Sequence, residues 1–321
     1  MTCQAHLTPI FMKLRAGYLI SGITTGLIIV FSFIWSLPDG KLHIVFCDVG
    51  QGDASYIRFP DGRDMVVDGG PNDRVIACLG RHMPFWDRHI DMVAMTHPQK
   101  DHMQGLIAVF ERFDVDYFLR SDIGNTTEGY QRLMTVVIKT RVSEKFITQG
   151  DRIAIGSTSL SFLWPSKEQV AKGVRASEMS LLRQGLGGQA DGSTESNVLG
   201  STIGDLNEYS LVFDLQYGSF DAVFTGDADS RVEPHYTGLT AFSYPVEILK
   251  VPHHGSKTGM TPAFIDWVKP EVAVVSVGKN SYGHPSKEAV NMLQSVNSRV
   301  LRTDQRGDIE IVTDGKEWEI Q

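Results

Sequence analysis

Cysteine is scarce in this chain, which has three cysteines among 321 residues, namely Cys3, Cys47 and Cys78. No two of them form a Cys-x-x-Cys pair, which excludes a zinc ribbon and a thiol redox motif. Cys47 lies inside an apolar run and is predicted to be a small core residue. In an exported domain Cys47 and Cys78 could instead meet as a pair, and the sequence alone leaves both interpretations open.

Basic residues are also fewer than acidic ones. The chain has 30 Lys and Arg against 38 Asp and Glu, a formal net charge of −8, and it has no stripe rich in lysine or arginine. This balance argues against nucleic-acid binding by bulk electrostatics. It does not exclude a nuclease, because bound divalent cations supply local positive charge.

Charge is absent altogether from residues 16–37, which include the strongly apolar run 26–35. As a helix this segment would be about 33 Å long, enough to cross a bilayer core of about 30 Å. We therefore predict a transmembrane anchor at 16–37, with a cleaved signal segment and a buried core helix as alternatives. Lys13 and Arg15 precede the segment, which favours a cytoplasmic N-terminus at 1–15 and a main domain on the extracytoplasmic side of the membrane.

The rest of the chain, residues 41–321, alternates β-branched strands with amphipathic helices and has no evident internal repeat. A meander of strands followed by helices occurs twice, which predicts an α/β (α+β) sandwich of four αββα layers around two packed sheets. Residues 165–205 contain few large side chains and many turn formers, so a flexible insertion is expected there. It can be a lid over a site or a simple surface loop.

Four polar motifs follow predicted strands or lie in loops rich in glycine and proline. They are, in chain order, His97-Pro-Gln99-Lys-Asp101-His102, Phe224-Thr-Gly-Asp227, Lys250-Val-Pro-His253-His254-Gly-Ser256 and Tyr282-Gly-His284-Pro. Imidazole and carboxylate groups on short loops at one edge of a sandwich can converge on a divalent metal ion. Each motif alone has a simpler explanation, such as a helix N-cap at Asp101 or an Asx turn at Asp227. Together they predict a metal-dependent hydrolase.

These motifs resemble those of the ComEC family of DNA-uptake proteins, in the family's soluble domain with the metallo-β-lactamase fold. The resemblance covers about residues 42–314 and extends to Asp48-Val-Gly-Gln-Gly-Asp53, Val67-Asp68-Gly-Gly70 and Val277-Gly-Lys-Asn280. It implies a metallo-β-lactamase-like domain at 41–321. The single apolar segment leaves no room for the family's transmembrane channel, so a stand-alone, membrane-anchored form of the domain is expected.

The resemblance also implies roles for individual residues. The implied metal ligands are His97, Asp101, His102, Asp227 and one of His253 and His254. The implied catalytic residues are Asp101, on the attacking water, and His284, on a phosphate, the leaving group or a metal ion. Supporting roles fall to residues that orient imidazole rings or hold an anionic substrate oxygen, namely Asp48, Asp53, Asp68, Ser256 and Lys257. The implied cofactor is one or two Zn²⁺ or Mn²⁺ ions, and the implied activity is a phosphodiesterase or nuclease acting on DNA.

One position departs from the family pattern. Relatives usually carry aspartate two residues after the first histidine, where this chain has Gln99, and a neutral carboxamide is a poorer ligand than a carboxylate. Three outcomes stay open: an enzyme with one metal ion, an enzyme whose first ion binds weakly, and a non-catalytic anchored binding protein. The acidic net charge adds a further alternative, the hydrolysis of a small exported ester or lactone. No feature of the sequence indicates a protein partner.

Overall fold

A computed structural model describes residues 9–35, 37–174, 205–239, 242 and 245–321. The chain divides into two compact units, Met1–Asp39 and Gly40–Gln321. All the polar motifs of the sequence lie in the second unit.

The first unit contains helix α1 (Pro9–Trp35). No helix in the described ranges is both long enough and apolar enough to cross a membrane, so the predicted transmembrane helix at 16–37 is wrong. The segment carries no charge, but its apolar residues alternate with small and polar ones, namely Gly17, Ser21, Gly22, Thr24, Thr25 and Gly26. The orientation expected from Lys13 and Arg15 has no support in the structure.

The second unit is built on short strands that form two sheets. The strands are β1 (Leu42–Phe46), β2 (Ser55–Arg58), β3 (Asp64–Val67), β4 (His89–Met95), β5 (Asp114–Arg120), β6 (Ser143–Phe146), β7 (Arg152–Ile155), β8 (Thr158–Trp164), β9 (Val212–Tyr217), β10 (Phe220–Phe224), β11 (Ile248–Lys250), β12 (Val272–Val275), β13 (Arg299–Arg302), β14 (Ile309–Thr313) and β15 (Trp318–Ile320). The first sheet has the order β15-β14-β1-β2-β3-β4-β5-β6, and the second has the order β13-β12-β11-β10-β9-β8-β7.

Helices cover the outer faces of both sheets. They are α2 (Arg74–His82), α3 (Lys100–Met103), α4 (Leu106–Arg112), α5 (Glu128–Thr140), α6 (167–174), α7 (Pro262–Val268), α8 (Lys287–Ser295) and α9 (Thr303–Arg306), with 3₁₀ turns at Leu206–Tyr209, Glu233–His235 and Pro252–Gly255. Helices α7 and α8 are capped at their starts, because the hydroxyl oxygens of Thr261 and Ser286 accept hydrogen bonds from N–H groups of the first turn.

Alternation along the strands divides their side chains between hydrophobic cores. In β1, Ile44 and Phe46 enter the core between the two sheets, whereas Val45 packs in a second core with side chains of α2, α4 and α5. A third core lies on the outer face of the second sheet, where α7 and α8 contribute Phe264 and Leu293. The structure therefore confirms the predicted α/β sandwich of four αββα layers.

Helix α3 ends at Met103 and helix α4 begins at Leu106, with Gly105 between them. A Cβ at Gly105 would collide with the carbonyl oxygens of Gly69 and Asn72, so the chain turns there against the segment after β3. Of the flexible insertion predicted at 165–205, residues 175–204 lie outside the described residues, and residues 167–174 form α6.

A disulfide joins Cys47, at the end of β1, to Cys78 in α2, with Cα atoms 5.9 Å apart. Both residues are fully buried in the core beneath the first sheet's helices. Cys47 is thus both the core residue that its apolar surroundings predict and one half of the pair that the sequence left open. The bond ties α2 to the strand that leads into the loop 48–53.

Candidate metal centre

The polar motifs meet because parallel strands of both sheets end at one edge of the sandwich. β3 and β4 run parallel in the first sheet, and β10, β11 and β12 run parallel in the second. The residues that follow these strands include Asp68, His97, Asp227, His253, His254 and Ser276. The N–H of Leu211 donates to the carbonyl oxygen of Thr96 at 2.9 Å, which links the two sheets beside this edge.

Hydrogen bonds fix the rings of His97 and His102 from their Nδ1 sides. His102 Nδ1 donates to Asp68 Oδ2 at 2.8 Å, and the Thr96 hydroxyl donates its single proton to the same oxygen at 2.7 Å. Because that proton is used, Thr96 Oγ1 can only accept from His97 Nδ1, which lies 3.1 Å away. Each ring therefore keeps Nε2 available, and neither Nε2 has a hydrogen-bond partner among the residues that the structure describes.

The backbone of the second sheet holds His254 in the same way. His254 Nδ1 donates to the Ser276 carbonyl oxygen at 2.9 Å, which leaves Nε2 buried and without a hydrogen bond within the described ranges. His253 and His254 both adopt left-handed backbone conformations, with φ of 47° and 53°. This conformation is unfavourable for residues with a Cβ and is retained where the surrounding structure imposes it. Here it allows two adjacent histidines to line one cavity.

Four ligand-type atoms converge in front of these rings. His102 Nε2 lies 3.3 Å from Asp227 Oδ2, and His254 Nε2 lies 3.5 Å from the same oxygen. His254 Nε2 is also 3.4 Å from Asp101 Oδ2. Ligands about 2.1 Å from a tetrahedral metal ion lie about 3.4 Å from one another. The cluster therefore has the donor atoms and the spacing that a divalent cation requires, and it can hold one.

Asp53 belongs to the same group of carboxylates and imidazoles but lies on the other side of the rings. Its Oδ1 is 3.4 Å from Nδ1 of His254, and its Oδ2 is 3.7 Å from Nδ1 of His102. The same Oδ2 forms an ion pair with the Lys250 ammonium, which also donates to the Gly226 carbonyl oxygen at 3.0 Å. Asp53 is thus placed to orient the rings from behind, and the ligand atoms face away from it.

Close backbone packing sets the loop 48–53 against the first motif. The N–H of Asp53 donates to the carbonyl oxygen of Asp101 at 3.1 Å. Gly52 has a φ of 149°, and a Cβ on it would collide with that same carbonyl oxygen. Glycine is therefore needed at position 52 for Asp53 and Asp101 to approach each other.

The carboxylates of the cluster favour protonated imidazoles. Burial opposes protonation of His254, but Asp227 and Asp53 raise its pKa to about 10. In the same way, Asp227 and Asp68 raise the pKa of His102 well above its ordinary value against the effect of burial. Burial also opposes ionisation of Asp227, yet the two rings hold its pKa well below the usual range. The cluster therefore attracts positive charge, which a metal ion supplies when it displaces the protons.

His97 and Gln99 occupy the side of the cluster that the resemblance assigns to the first of two ions. Burial, and then the neighbouring His102, lower the pKa of His97 to about 3, so this ring is neutral. The Gln99 carboxamide lies beside the ring and lines the cavity, where it offers a neutral oxygen in place of a carboxylate. Asp227 Oδ1, the oxygen available for a second ion, lies 3.9 Å from the Lys250 ammonium. The side of the cluster formed by His97 and Gln99 therefore offers a metal ion fewer ligands than the side formed by His102, His254 and Asp101.

The cavity in front of the cluster has a volume of about 420 Å³. It is lined by Gln51, Pro71, Gln99, Lys100, Asp101, Asp227, His253, His254, Tyr282 and His284. The predicted residues His253 and His284 both belong to this lining, with ring centroids 5.7 Å apart. His253 Nε2 lies 4.0 Å from Asp227 Oδ2, farther than His254 Nε2, so His254 is the better placed of the two as a ligand.

Three predicted residues belong neither to this lining nor to the groups that form or orient the cluster. Asp48 Oδ2 accepts a hydrogen bond from Arg74 at 3.0 Å and contacts none of the cluster's imidazoles in the described structure. Ser256 Oγ lies 3.3 Å from the Thr258 hydroxyl. Lys257 extends into solvent and pairs with a glutamate of α8 at 3.2 Å. The structure thus brings none of the three to the place where a substrate oxygen would bind.

Other residues of the site have no predicted role in the sequence. Thr96 sets the proton arrangement of His97, and Lys250 neutralises Asp53. Lys250 has a recognisable signal, because it is a charged residue inside the apolar run Ile248-Leu-Lys-Val251. Thr96 has none, since a threonine at the end of a buried strand is ordinary.

The similarity of this chain to known proteins agrees with the motifs. ComE operon protein 3 of Bacillus subtilis (strain 168) is 23% identical over 296 residues, which are 87% of this chain and 34% of that protein. Competence protein ComA of Neisseria gonorrhoeae is 33% identical over 107 residues, which are 33% of this chain and 16% of that protein. The chain carries a ComEC-like domain of the metallo-β-lactamase fold. No protein-family model matches it.

The ComEC-like chain is short beside its relatives, since it spans about a third of the first and about a sixth of the second. Among solved structures, the metallo-β-lactamase-fold protein YhfI of Bacillus subtilis aligns with 83% of this chain and 98% of its own. The identity is 11% and the TM-score is 0.47.

Proposed function

We propose that the ComEC-like domain is a metal-dependent hydrolase that uses one divalent cation. The observation that carries this proposal is the convergence of His102 Nε2 and His254 Nε2 on Asp227 Oδ2, at 3.3 and 3.5 Å, with Asp101 Oδ2 at 3.4 Å from His254 Nε2. The rings are held from their Nδ1 sides, so the ligand positions exist before a cation binds. The neutral carboxamide of Gln99 favours one ion over two. Two imidazoles and two carboxylates suit Zn²⁺ and also Mn²⁺.

Two residues of the cavity are placed for proton transfer. A divalent cation in the cluster would lower the pKa of water from about 15.7 towards about 7 and would stabilise negative charge on a substrate oxygen. The side chain of Asp101 is 33% exposed, so it can orient an attacking water and accept its proton. His284 Nδ1 is buried and has no partner in the described structure, so it is available to the oxygen that leaves. Burial, and then His253 and His254, lower the pKa of His284, so at neutral pH the ring is neutral and contacts that oxygen as a neutral imidazole.

We infer that the substrate is a phosphodiester and that the activity is that of a phosphodiesterase or nuclease on DNA. The motifs resemble those of DNA-uptake proteins, and the relative from Neisseria gonorrhoeae is named a competence protein. Because the chain carries a net charge of −8, its contact with DNA would depend on the bound cation and on a few side chains at the cavity.

The test is cleavage of a fluorescent single-stranded oligonucleotide by the full-length protein. We expect cleavage in Mn²⁺ or Zn²⁺ that stops when EDTA is added and returns when the metal is restored. Protein that has taken up either ion in stoichiometric amount and leaves the DNA intact would overturn the nuclease proposal. The second candidate function is the hydrolysis of a small ester or lactone, which the acidic net charge of the chain supports. Hydrolysis of a p-nitrophenyl ester or a lactone by that same protein would favour it.

Changing Gln99 to aspartate is expected to raise the metal content from about one to about two equivalents per chain, because it adds a charged ligand beside His97. The measurement is mass spectrometry of metals in dialysed protein. Gln99→Asn is the matched control, since asparagine has the shape of aspartate without its charge, and it should stay near one. Equal metal content in Gln99→Asp and Gln99→Asn would contradict the proposal that the neutral side chain of Gln99 limits the site to one ion. A wild-type content below about half an equivalent would favour the non-catalytic binding protein instead.

A further inference from the structure

The rim of the cavity carries an exposed aromatic side chain that the proposed mechanism does not use. Tyr282 is 75% exposed and lines the same cavity as Asp101, Asp227 and His254. Its ring centroid lies 5.7 Å from that of His284, which in turn lies 6.5 Å from that of His254. A row of three rings thus leads from solvent to the ligand cluster.

One side chain holds the backbone that carries Tyr282. Asn280 Oδ1 accepts hydrogen bonds from the N–H groups of Tyr282 and His284 at 3.1 and 3.0 Å. Asn280 Nδ2 donates to the carbonyl oxygens of Gly278 and His284, both at 2.9 Å. The N–H of Gly278 also donates to Gln51 Oε1 at 3.3 Å, which ties the segment 278–284 to the loop after β1. The exposed ring is therefore carried by a well-anchored segment, and its position at the rim is set by the fold.

We propose that Tyr282 is a stacking platform for an unpaired nucleobase next to the phosphodiester that the ligand cluster binds. The inference rests on the proposed function and narrows its substrate to single-stranded nucleic acid. A base in a duplex has both faces covered by its neighbours, and an aliphatic ester or lactone has no ring to stack. Lys100 is exposed and lines the same cavity, so a cation is available for a flanking phosphate.

The expected contribution is large enough to determine substrate choice. Stacking of a base on an aromatic side chain is worth about 5-fold to 150-fold in affinity for each base. In a chain with a net charge of −8, bulk attraction to the phosphate backbone does not supply this affinity. A contact with the neutral base is also less sensitive to salt than a contact with the charged phosphate.

The first test measures binding and does not depend on cleavage. Calorimetry in Mn²⁺ compares deoxyadenosine 5′-monophosphate with the 5′-phosphate of its abasic tetrahydrofuran analogue, which has the same phosphate and no base. We expect the wild-type protein and Tyr282→Phe to prefer the nucleotide by at least about fivefold, and Tyr282→Ala to bind both equally. Equal binding of the two compounds by the wild-type protein would overturn the stacking platform.

The second test separates the platform from the proposed function. On single-stranded DNA, Tyr282→Ala should lower kcat/KM by about 10-fold to 100-fold, with no effect when the nucleotides beside the scissile phosphate are abasic. The control is Tyr117→Ala, which removes an aromatic ring that is 43% exposed on β5 and lines a different cavity. Cleavage at the same rate with and without the flanking bases would contradict the stacking platform and leave the proposed hydrolase intact. Base-dependent binding without any cleavage would contradict the proposed hydrolase and leave the stacking platform intact.

Discussion

Replacing Asp101 by asparagine is expected to lower kcat/KM for DNA cleavage by at least about a thousandfold. Asp101 supplies a carboxylate oxygen 3.4 Å from His254 Nε2, and it is the group placed to act on the attacking water. Burial raises the pKa of Asp101, but the nearby His254 ring and the charge of His102 hold it well below the ordinary value. The side chain is therefore an anion at neutral pH. Asparagine keeps its shape but neither neutralises a cation nor accepts a proton.

Asp116→Asn is the matched control for this change. It removes the same charge from an exposed position on β5, where Asp116 lies 3.4 Å from His89 and outside the cavity. Metal content and thermal unfolding should be measured on both variants, so that loss of the cation is separated from loss of the fold. An Asp101→Asn protein that cleaves within about tenfold of the wild-type rate would show that another group activates the water.

The set of residues that gather at the site could be predicted from the sequence because most of the motifs directly follow a strand. Asp227 follows β10 after the turn at Gly226, and His253 and His254 follow β11 after Pro252. Parallel strands deliver such residues to one sheet edge whatever the details of the loops. The four layers were predictable for a similar reason, since alternation in β1 alone already assigns Ile44 to one core and Val45 to another.

The orientation of each group could not be predicted, because it depends on contacts between residues far apart in the chain. His102 is positioned by Asp68 across 34 residues, and His254 by the Ser276 carbonyl across 22. Nothing in the local pattern around Ser256 reveals that it turns towards Thr258 instead of the cavity. At the N-terminus, the absence of charge from 16–37 does not by itself predict a membrane span, because the same segment contains glycine, serine and threonine residues.

Lys250→Met is expected to lower the free energy of unfolding by about 3–5 kcal/mol, the usual loss when one partner of a buried ion pair is removed. Lys250 is 3% exposed and Asp53 is 4% exposed, and the ammonium lies between the Asp53 carboxylate and the Gly226 carbonyl oxygen. Methionine fills a similar volume, so the loss would come from the uncompensated charge of Asp53 and not from a cavity. Lys257→Met is the control, because this lysine is exposed at the surface and should leave stability unchanged.

The double variant Lys250→Met/Asp53→Asn decides whether the ion pair is the cause. With both charges of the pair removed, it should be more stable than Lys250→Met alone, and the two single losses should not add. Urea unfolding of the four proteins in EDTA measures this coupling without a contribution from bound metal. Additive losses, or a loss below about 1 kcal/mol in Lys250→Met, would contradict the pairing. The rings of His102 and His254 would then be oriented by Asp68 and the Ser276 carbonyl without help from Asp53.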